Sequence, residues 1–318
     1  MSKVKVGLIG HGHLGKWHAQ KIEVHDETEF SSIIEINETQ WAEIKNLYPN
    51  VQIFKTVEES FEYCDAYIVS SPTAFHYEIV IKLLKAKKHV FCEKPLVSTL
   101  DQAKEVNQLA KENKAILQVG HSERCHQIWE RLGEFKDFLN QPSLINIERV
   151  APFKGRATDV DVVQDLMIHD IDLLLYIFKK EPIALEAFGE KIRTKYWDYV
   201  KSIWYFDDGM KATITVGRNN ISEVRNLEVI SKNGMIQFDL MNREVKIADK
   251  NKESVEIIAK YEARDHLAIE QNYFYQSILK DRPVFVNGDD GVKSILYIEK
   301  VLESLDKKEK VLCHNETA

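Results

Sequence analysis

The sequence predicts an α/β chain in which a doubly wound parallel sheet comes first and an α+β domain with a predominantly antiparallel sheet follows. Three observations predict it. Through the first third, short β-branched runs alternate with helical patterns, the sequence form of repeated βαβ units. A glycine-rich hexapeptide, Gly10-His11-Gly12-His13-Leu14-Gly15, sits directly between the first strand pattern and the first helix pattern. Past Gly120 come strand-like runs divided by Asp207-Asp208-Gly209 and Lys232-Asn233-Gly234, which suit reversals between antiparallel strands.

Taken in order, strands are predicted over Val4 to Ile9, Phe30 to Glu35, Val51 to Phe54, Ala66 to Ser70, Val90 to Cys92 and Ile116 to Val119. Helical patterns separate them. The helix after Pro95 starts at Thr99, whose hydroxyl caps it, with Gln102 at the capping-box spacing. The remainder opens with a helix over Ile128 to Phe138, a strand over Leu144 to Val150 and a long apolar helix from Val163 to Phe178. Strands follow at Ser202 to Phe206, Lys211 to Val216, Leu227 to Ile230 and Met235 to Phe238, within a strand-rich stretch from Leu185 to Ile258. Helices over His266 to Leu279 and Val292 to Leu305 close the chain. The domains are accordingly 1–121 and 122–318, with the last helix able to pack back on the first domain.

At 318 residues the chain can bury two cores, and 44% hydrophobic with 29% charged residues describe a globular protein. A formal net charge of -7 opposes general binding to nucleic acid, which needs a concentrated basic surface, and to anionic membrane. No stretch reaches the ~20 apolar residues of a membrane span. Met1 to Ile9 interleaves charge with apolar residues and does not form a signal peptide. Cys64, Cys92, Cys125 and Cys313 lack metal-ligand spacing and are too few to staple the chain, so a reducing cytoplasm suits it.

Gly10, Gly12 and Gly15 let a strand turn tightly into a helix, with His13 and Leu14 between them, so that a pyrophosphate can approach the N–H groups of the helix N-terminus. Glu35, about 20 residues on, ends the second strand where a carboxylate holds ribose hydroxyls. Together they make the first domain a Rossmann domain for a dinucleotide. A 2′-phosphate about 4 Å from that carboxylate meets a repulsion of several kcal/mol at an effective dielectric near 20, so NAD is expected over NADP. His11 and His13 have no carboxylate or cysteine at ligand spacing beside them, and no metal is expected.

Val90-Phe91-Cys92 runs straight into Glu93-Lys94-Pro95. A solvated loop is the plain reading of those six residues alone, yet ligands of open parallel sheets collect beyond the carboxyl ends of the strands. In the second domain, Asp165 and His169 are four apart on a predicted helix and share one face, which Asp172 and Tyr176 continue. Leu166, Met167, Ile168, Ile171 and Leu173 to Leu175 make that helix largely buried, so its polar stripe needs partners or a cavity. For Asp172 and Tyr176 an internal hydrogen-bond network is expected.

The glycine loop, Ser71-Pro72 with His76, Glu93-Lys94-Pro95, Asp165-Leu166-Met167-Ile168-His169 and the Phe206-Asp207-Asp208-Gly209 turn together resemble the Gfo/Idh/MocA oxidoreductases over nearly the whole chain. Val119-Gly120-His121-Ser122-Glu123-Arg124, Thr158-Asp159-Val160 and Asp165 to Asp172 look like the UDP-N-acetylglucosamine 3-dehydrogenase branch, which oxidises the sugar 3-hydroxyl to a ketone for a partner aminotransferase. Where that branch continues its Glu-Arg with an aromatic residue, Asn and Pro, this chain has Cys125-His126-Gln127, which loosens the inference to a sugar more than to a reaction.

The resemblance implies an NAD-dependent sugar dehydrogenase with Gly10, Gly12, His13, Leu14, Gly15, Glu35, Ser71, Pro72, His76, Glu93 and Lys94 around the coenzyme. It implies Lys94, Asp165 and His169 in catalysis. Histidine suits base work because its unperturbed pKa, about 6.5, lies near neutrality, whereas drawing a lysine from ~10.4 to the 7–8 region costs roughly 3–5 kcal/mol. His169 as base with Lys94 stabilising the oxyanion is therefore the first allocation, and the reverse is the second. Asp165 orients the ring or binds a hydroxyl. Pro95 restricts the backbone, admits a cis bond and aims the lysine inward. Arg124, Arg156 and Thr158 join Asp165 and His169 as candidate substrate ligands, the alternatives being an interdomain salt bridge for Arg124 and a solvated loop for the other two. A nucleotide sugar is the leading substrate, a free cyclitol or simple sugar the second, and a dinucleotide-binding sensor without turnover the third. Intact Lys94, Asp165 and His169 count against the sensor. A homodimer or homotetramer is expected, because an antiparallel sheet leaves one face open.

Overall fold

A computed structural model describes residues 3–313, which divide into two compact units. The first comprises residues up to Cys125 together with Asp265–Ile295, and the second His126–Arg264 together with residues from Leu296 onward. Positions 1, 2 and 314–318, at the outer ends of the domain ranges read from sequence, lie outside the described residues.

The chain begins β1 (Val4–Ile9), α1 (His13–Val24), β2 (Thr28–Ile34), α2 (Trp41–Leu47), β3 (Gln52–Phe54), β4 (Ala66–Val69), α3 (His76–Lys85), β5 (His89–Glu93), α4 (Leu100–Glu112) and β6 (Leu117–Gly120). These six strands are parallel in the order β3-β2-β1-β4-β5-β6. The order reverses between β1 and β4, so the loops that follow those strands open a crevice at the carboxyl edge of the sheet. Side chains alternate across it: Val6, Leu8 and Phe91 enter a core with Ala19, Ile22 and Ile44, while Ile9, Val69, Val90 and Cys92 enter another with Leu83 and Val106. Thr99 Oγ1 caps α4 by accepting from Gln102 N at 3.4 Å, but Gln102 Oε1 has no hydrogen-bond partner among the described residues, so only the hydroxyl half of the capping box forms.

In the second unit, 3-10 turns over Gln127–Phe135 lead into the single turn α5 (Lys136–Leu139), where the sequence predicts one α-helix. Trp129, Leu132, Phe135 and Phe138 recur every third residue, a spacing that lines one side of a 3-10 helix and drifts around an α-helix. Next come β7 (Leu144–Val150), a π-helical turn Val163–Met167, α6 (Ile168–Phe178), β8 (Ala184–Glu190), β9 (Tyr199–Tyr205), β10 (Lys211–Gly217), β11 (Val224–Ser231), β12 (Gly234–Asp239), β13 (Glu244–Asp249) and β14 (Glu256–Lys260). The helices α7 (His266–Lys280) and α8 (Gly288–Lys307) and the short β15 (Val311–Leu312) complete the described chain. α7 belongs to the first unit, where Phe274 and Tyr275 enter the core on the α1 face; the sequence reading sets this segment in the second domain.

Nine strands make the second sheet, in the order β14-β13-β12-β11-β7-β10-β9-β8-β15. β7 and β10 pair in parallel and the other neighbours antiparallel. Ile145, Ile147, Ile214, Val216 and Leu227 point into a core shared with Ile168, Ile171 and Leu174 of α6. Asn146, Glu148, Thr213, Thr215, Asn226 and Glu228 occupy the other face, which is polar. No helix among the described residues is long and apolar enough to cross a membrane.

Candidate active site

After β1 the chain turns through Gly10 at φ +86°, a conformation that favours glycine. A Cβ at Gly10 would lie 3.1 Å from the Ser71 backbone, and one at Gly15 would lie 2.1 Å from Gly10 O, so Gly15 holds the loop closed against its own start. At Gly12, by contrast, a Cβ would meet nothing within 4 Å. Gly12 caps α1 with backbone alone, which leaves first-turn N–H groups directed at whatever anion approaches. Ser70 Oγ donates to Gly10 O at 2.9 Å and ties the loop to the end of β4.

Glu35 follows β2 and is 7% exposed. Its carboxylate accepts from His11 N at 2.9 Å and from Asn37 N at 2.8 Å, fixing it beside the glycine loop. The His11 ring is buried against Tyr48, and desolvation, followed by the charge of Lys16, lowers its pKa. Across the crevice His76 is buried with Nε2 2.8 Å from Ser71 O and Nδ1 3.0 Å from Pro95 O, so one ring joins the loops after β4 and β5. Glu93 ends β5 and points to the same side as Phe91, toward α1, where its Oε1 lies 2.7 Å from His18 Nε2. Its Oε2 accepts from Lys94 N at 3.2 Å. The Lys94–Pro95 peptide is cis.

Gly10, Gly12, His13, Leu14, Glu35, Ser71, Pro72, His76, Glu93 and Lys94 line one cavity of about 790 Å³. Gly15 supports it without lining it. A cavity of this size, with a bare glycine at a helix N-terminus and a fixed carboxylate at the end of the second strand, fits a dinucleotide. Sequence reasoning misses Ile36, Gln40, Lys55, Thr56 and Phe75, which line the same cavity. Ile36 is 78% exposed, and its only mark in the sequence is that it follows the strand-end acid.

In the second unit Asp165 lies in the π-helical turn, which the bond from Ile168 N to Val163 O closes, and His169 lies in the first turn of α6. Both are half-buried, while Asp172 is buried. α6 is anchored by Asp170, whose carboxylate accepts from Arg149 of β7 at 2.8, 3.0 and 3.1 Å; the sequence reading gives neither residue a role. Asp165 and Arg156 line a smaller pocket of about 70 Å³ together with Arg149, Lys154, Arg218 and Arg225. The loop bearing Arg156 and the exposed Thr158 is pinned by Arg218, which donates to Ala157 O and pairs with Asp198 at 2.6 Å. Asp198 accepts in turn from the N–H groups of Ile192, Arg193 and Thr194 at 2.8, 2.7 and 2.9 Å. Burial alone pushes the Asp198 pKa up, but these hydrogen bonds outweigh it and hold the carboxyl well below its ordinary range. Arg124 belongs to the first unit, where its buried guanidinium lies 3.2 Å from Asp290 and 3.4 Å from Phe285 O.

Residues 4–121 match the profile of the GFO/IDH/MocA oxidoreductase family, NAD-binding Rossmann fold, and residues 143–237 match the GFO/IDH/MocA C-terminal domain. The chain belongs to the GFO/IDH/MocA oxidoreductase family. Among curated members similar to this oxidoreductase, UDP-N-acetylglucosamine 3-dehydrogenase of Acidithiobacillus ferrooxidans is 29% identical over 298 residues, covering 92% of this chain and 94% of the relative. Myo-inositol 2-dehydrogenase of Thermotoga maritima is 26% identical, covering 97% and 98%. The solved structure of the Acidithiobacillus ferrooxidans enzyme superposes with a TM-score of 0.87 at 27% identity, over 96% of this chain and 99% of that one. Scyllo-inositol dehydrogenase from Lactobacillus casei, solved with NAD(H) and scyllo-inositol, shares the fold at a TM-score of 0.83 and 20% identity, over 98% and 99% of the two chains.

Proposed function

We propose that this GFO/IDH/MocA oxidoreductase is an NAD-dependent dehydrogenase that converts a secondary hydroxyl of a nucleotide sugar to a ketone, with C3 of UDP-N-acetylglucosamine or a related sugar as the substrate position. The observation that carries the reading is the cavity in which the glycine loop, Glu35 and the Glu93-Lys94 strand end meet. NAD, when bound, supplies the hydride acceptor. Glu35 holds the adenosine ribose, and the N–H groups around Gly12 hold the pyrophosphate. His169 removes the hydroxyl proton, Asp165 orients that ring or binds a neighbouring hydroxyl, and the Lys94 ammonium stabilises the developing oxyanion.

The 29% identity to a UDP-sugar dehydrogenase favours a phosphate-bearing substrate over a neutral cyclitol, and Arg156 at the smaller pocket, where Lys154 is paired with Glu223 at 2.6 Å, supports the same choice. Oxidation of a free cyclitol is the second reading, supported by the likeness to myo-inositol 2-dehydrogenase. NAD reduction across a panel of UDP-sugars and inositols decides between them, with a rise in melting temperature on adding UDP expected for the first. Turnover of inositols without any UDP effect would replace it. Near-normal turnover by Lys94→Ala refutes both allocations of the catalytic roles, and the pH–rate profile of His169→Asn against the parent separates them. Assembly of two or four copies over the open face of the second sheet is to be read by sedimentation.

A further inference from the structure

Glu93 is held from behind by side chains that have no role in the mechanism above. His18 Nε2 lies 2.7 Å from Glu93 Oε1, and His18 Nδ1 lies 2.8 Å from Nε2 of Gln271 in α7. The same amide nitrogen is 3.3 Å from His18 O, which only accepts, so Gln271 turns its NH₂ toward His18 and Nδ1 is the acceptor. Nε2 therefore carries the proton and donates to Glu93. Tyr275 fixes the far end of Gln271 by donating to its Oε1 at 3.1 Å. Glu270, one residue earlier on α7 and 1% exposed, brings in a second carboxyl: one nitrogen or oxygen from each of His18, Glu93 and Glu270 lies within 4.8 Å of the others. Among the described residues neither Glu270 side-chain oxygen has a hydrogen-bond partner.

We propose that Glu270 and His18 are positioning residues that keep Glu93 a single, fixed carboxylate at the wall of the coenzyme cavity, and thereby favour the oxidised, positively charged nicotinamide over the reduced one. The inference rests on the NAD reading of that cavity. Two ionised carboxylates this close in a buried site repel, so one of them holds a proton. Glu93 has donors in His18 Nε2 and Lys94 N and borders the cavity, whereas Glu270 is enclosed with no donor among the described residues. Glu270 is thus the acid: burial first, then the charges of Glu93 and Asp265, push its pKa well above the carboxylate range. Asp265 is balanced by Lys21 at 2.5 Å. A protonated Glu270 has one O–H to offer Glu93, which stays charged. That charge stabilises a nicotinamide cation and has no comparable attraction for the neutral dihydro form.

Titrating NAD⁺ and NADH separately against the full chain gives the ratio of their dissociation constants. Glu93→Gln is expected to move that ratio against NAD⁺ by about tenfold, the effect of one screened charge, and Glu270→Leu, which removes an O–H donor and no charge, to move it the same way by a smaller factor. Glu270→Gln, whose N–H replaces the O–H, is expected to restore it to within about twofold of the parent. A second readout is the infrared carbonyl band of a buried protonated carboxyl, lost in Glu270→Gln and kept in Glu93→Gln. Should Glu270→Leu fail to fold, the two isosteric variants and the infrared band decide. An unmoved ratio in Glu93→Gln with both coenzymes still bound, a Glu270→Gln ratio as far from the parent as that of Glu93→Gln, or absence of the band from the parent overturns this inference alone. A parent that binds neither coenzyme overturns the NAD reading and this inference with it.

Discussion

Replacing Asp170 with Asn removes one charge from a pair in which both partners are shut away from water, with side chains 6% exposed for Arg149 and 1% for Asp170. Oδ1 accepts from Arg149 Nε at 3.0 Å and from a terminal nitrogen at 2.8 Å, while Oδ2 accepts from Nε at 3.1 Å. Asn keeps one of those oxygens and no charge, so the buried guanidinium loses the carboxylate that accepts from it at three distances. Truncating an exposed pair costs about 0–1 kcal/mol, but unpairing a buried one costs about 3–5 kcal/mol, and the burial here selects the larger figure. At roughly 2–4 °C per kcal/mol, the melting transition of the second unit falls by about 6–20 °C. Because α6 carries His169 in its first turn, turnover at the assay temperature is expected to fall along with stability. Calorimetry and urea unfolding of the parent and Asp170→Asn measure the loss. The double variant Arg149→Met/Asp170→Leu, which removes both charges, is expected to recover most of it. A loss below about 1 kcal/mol in Asp170→Asn, or a double variant no more stable than the single one, would refute the reasoning that this pair is a desolvated anchor.

Glu35→Gln is expected to narrow the preference for NAD by one to two orders of magnitude: one charge at about 4 Å and a dielectric near 20 is worth ~4 kcal/mol, part of which the two backbone donors already offset. Fluorescence titration with NADH and NADPH checks it, and a parent that binds NADPH as tightly as NADH sinks the argument. Asp198→Asn tests the acid limb of stability. Because the folded pKa of Asp198 lies below its unfolded value, the stability it contributes is complete above about pH 4 and is lost as pH falls toward the folded value. Unfolding free energy measured from roughly pH 5 down to pH 2 should therefore drop less steeply in the variant, which starts lower at neutral pH. Parallel acid slopes would show that Asp198 is not the group responsible.

Much of the first unit is legible from the sequence, because its requirements are local. A strand that turns this tightly into a helix needs glycine at Gly10 for its backbone angle and at Gly15 for close approach, and both needs leave a visible mark. Apolar alternation delimits β1 at Val4–Ile9, and Glu93 and Lys94 stand out because charge meets the end of an apolar strand. The 127–139 segment is only partly legible, since a three-residue apolar spacing lies too near 3.6 for a short stretch to separate 3-10 from α. What the tertiary structure alone decided is partnership. Nothing in the helical pattern around His18 marks it as the partner of Glu93, 75 positions away, or of Gln271, 253 away. Nor does the run of Glu270, Gln271 and Tyr275 reveal that α7 returns to the first unit. Backbone angles and apolar periodicity act between near neighbours and are written in the order of residues; buried polar groups must find whatever partner the packed elements bring within hydrogen-bond reach, and that choice exists only once the chain has folded.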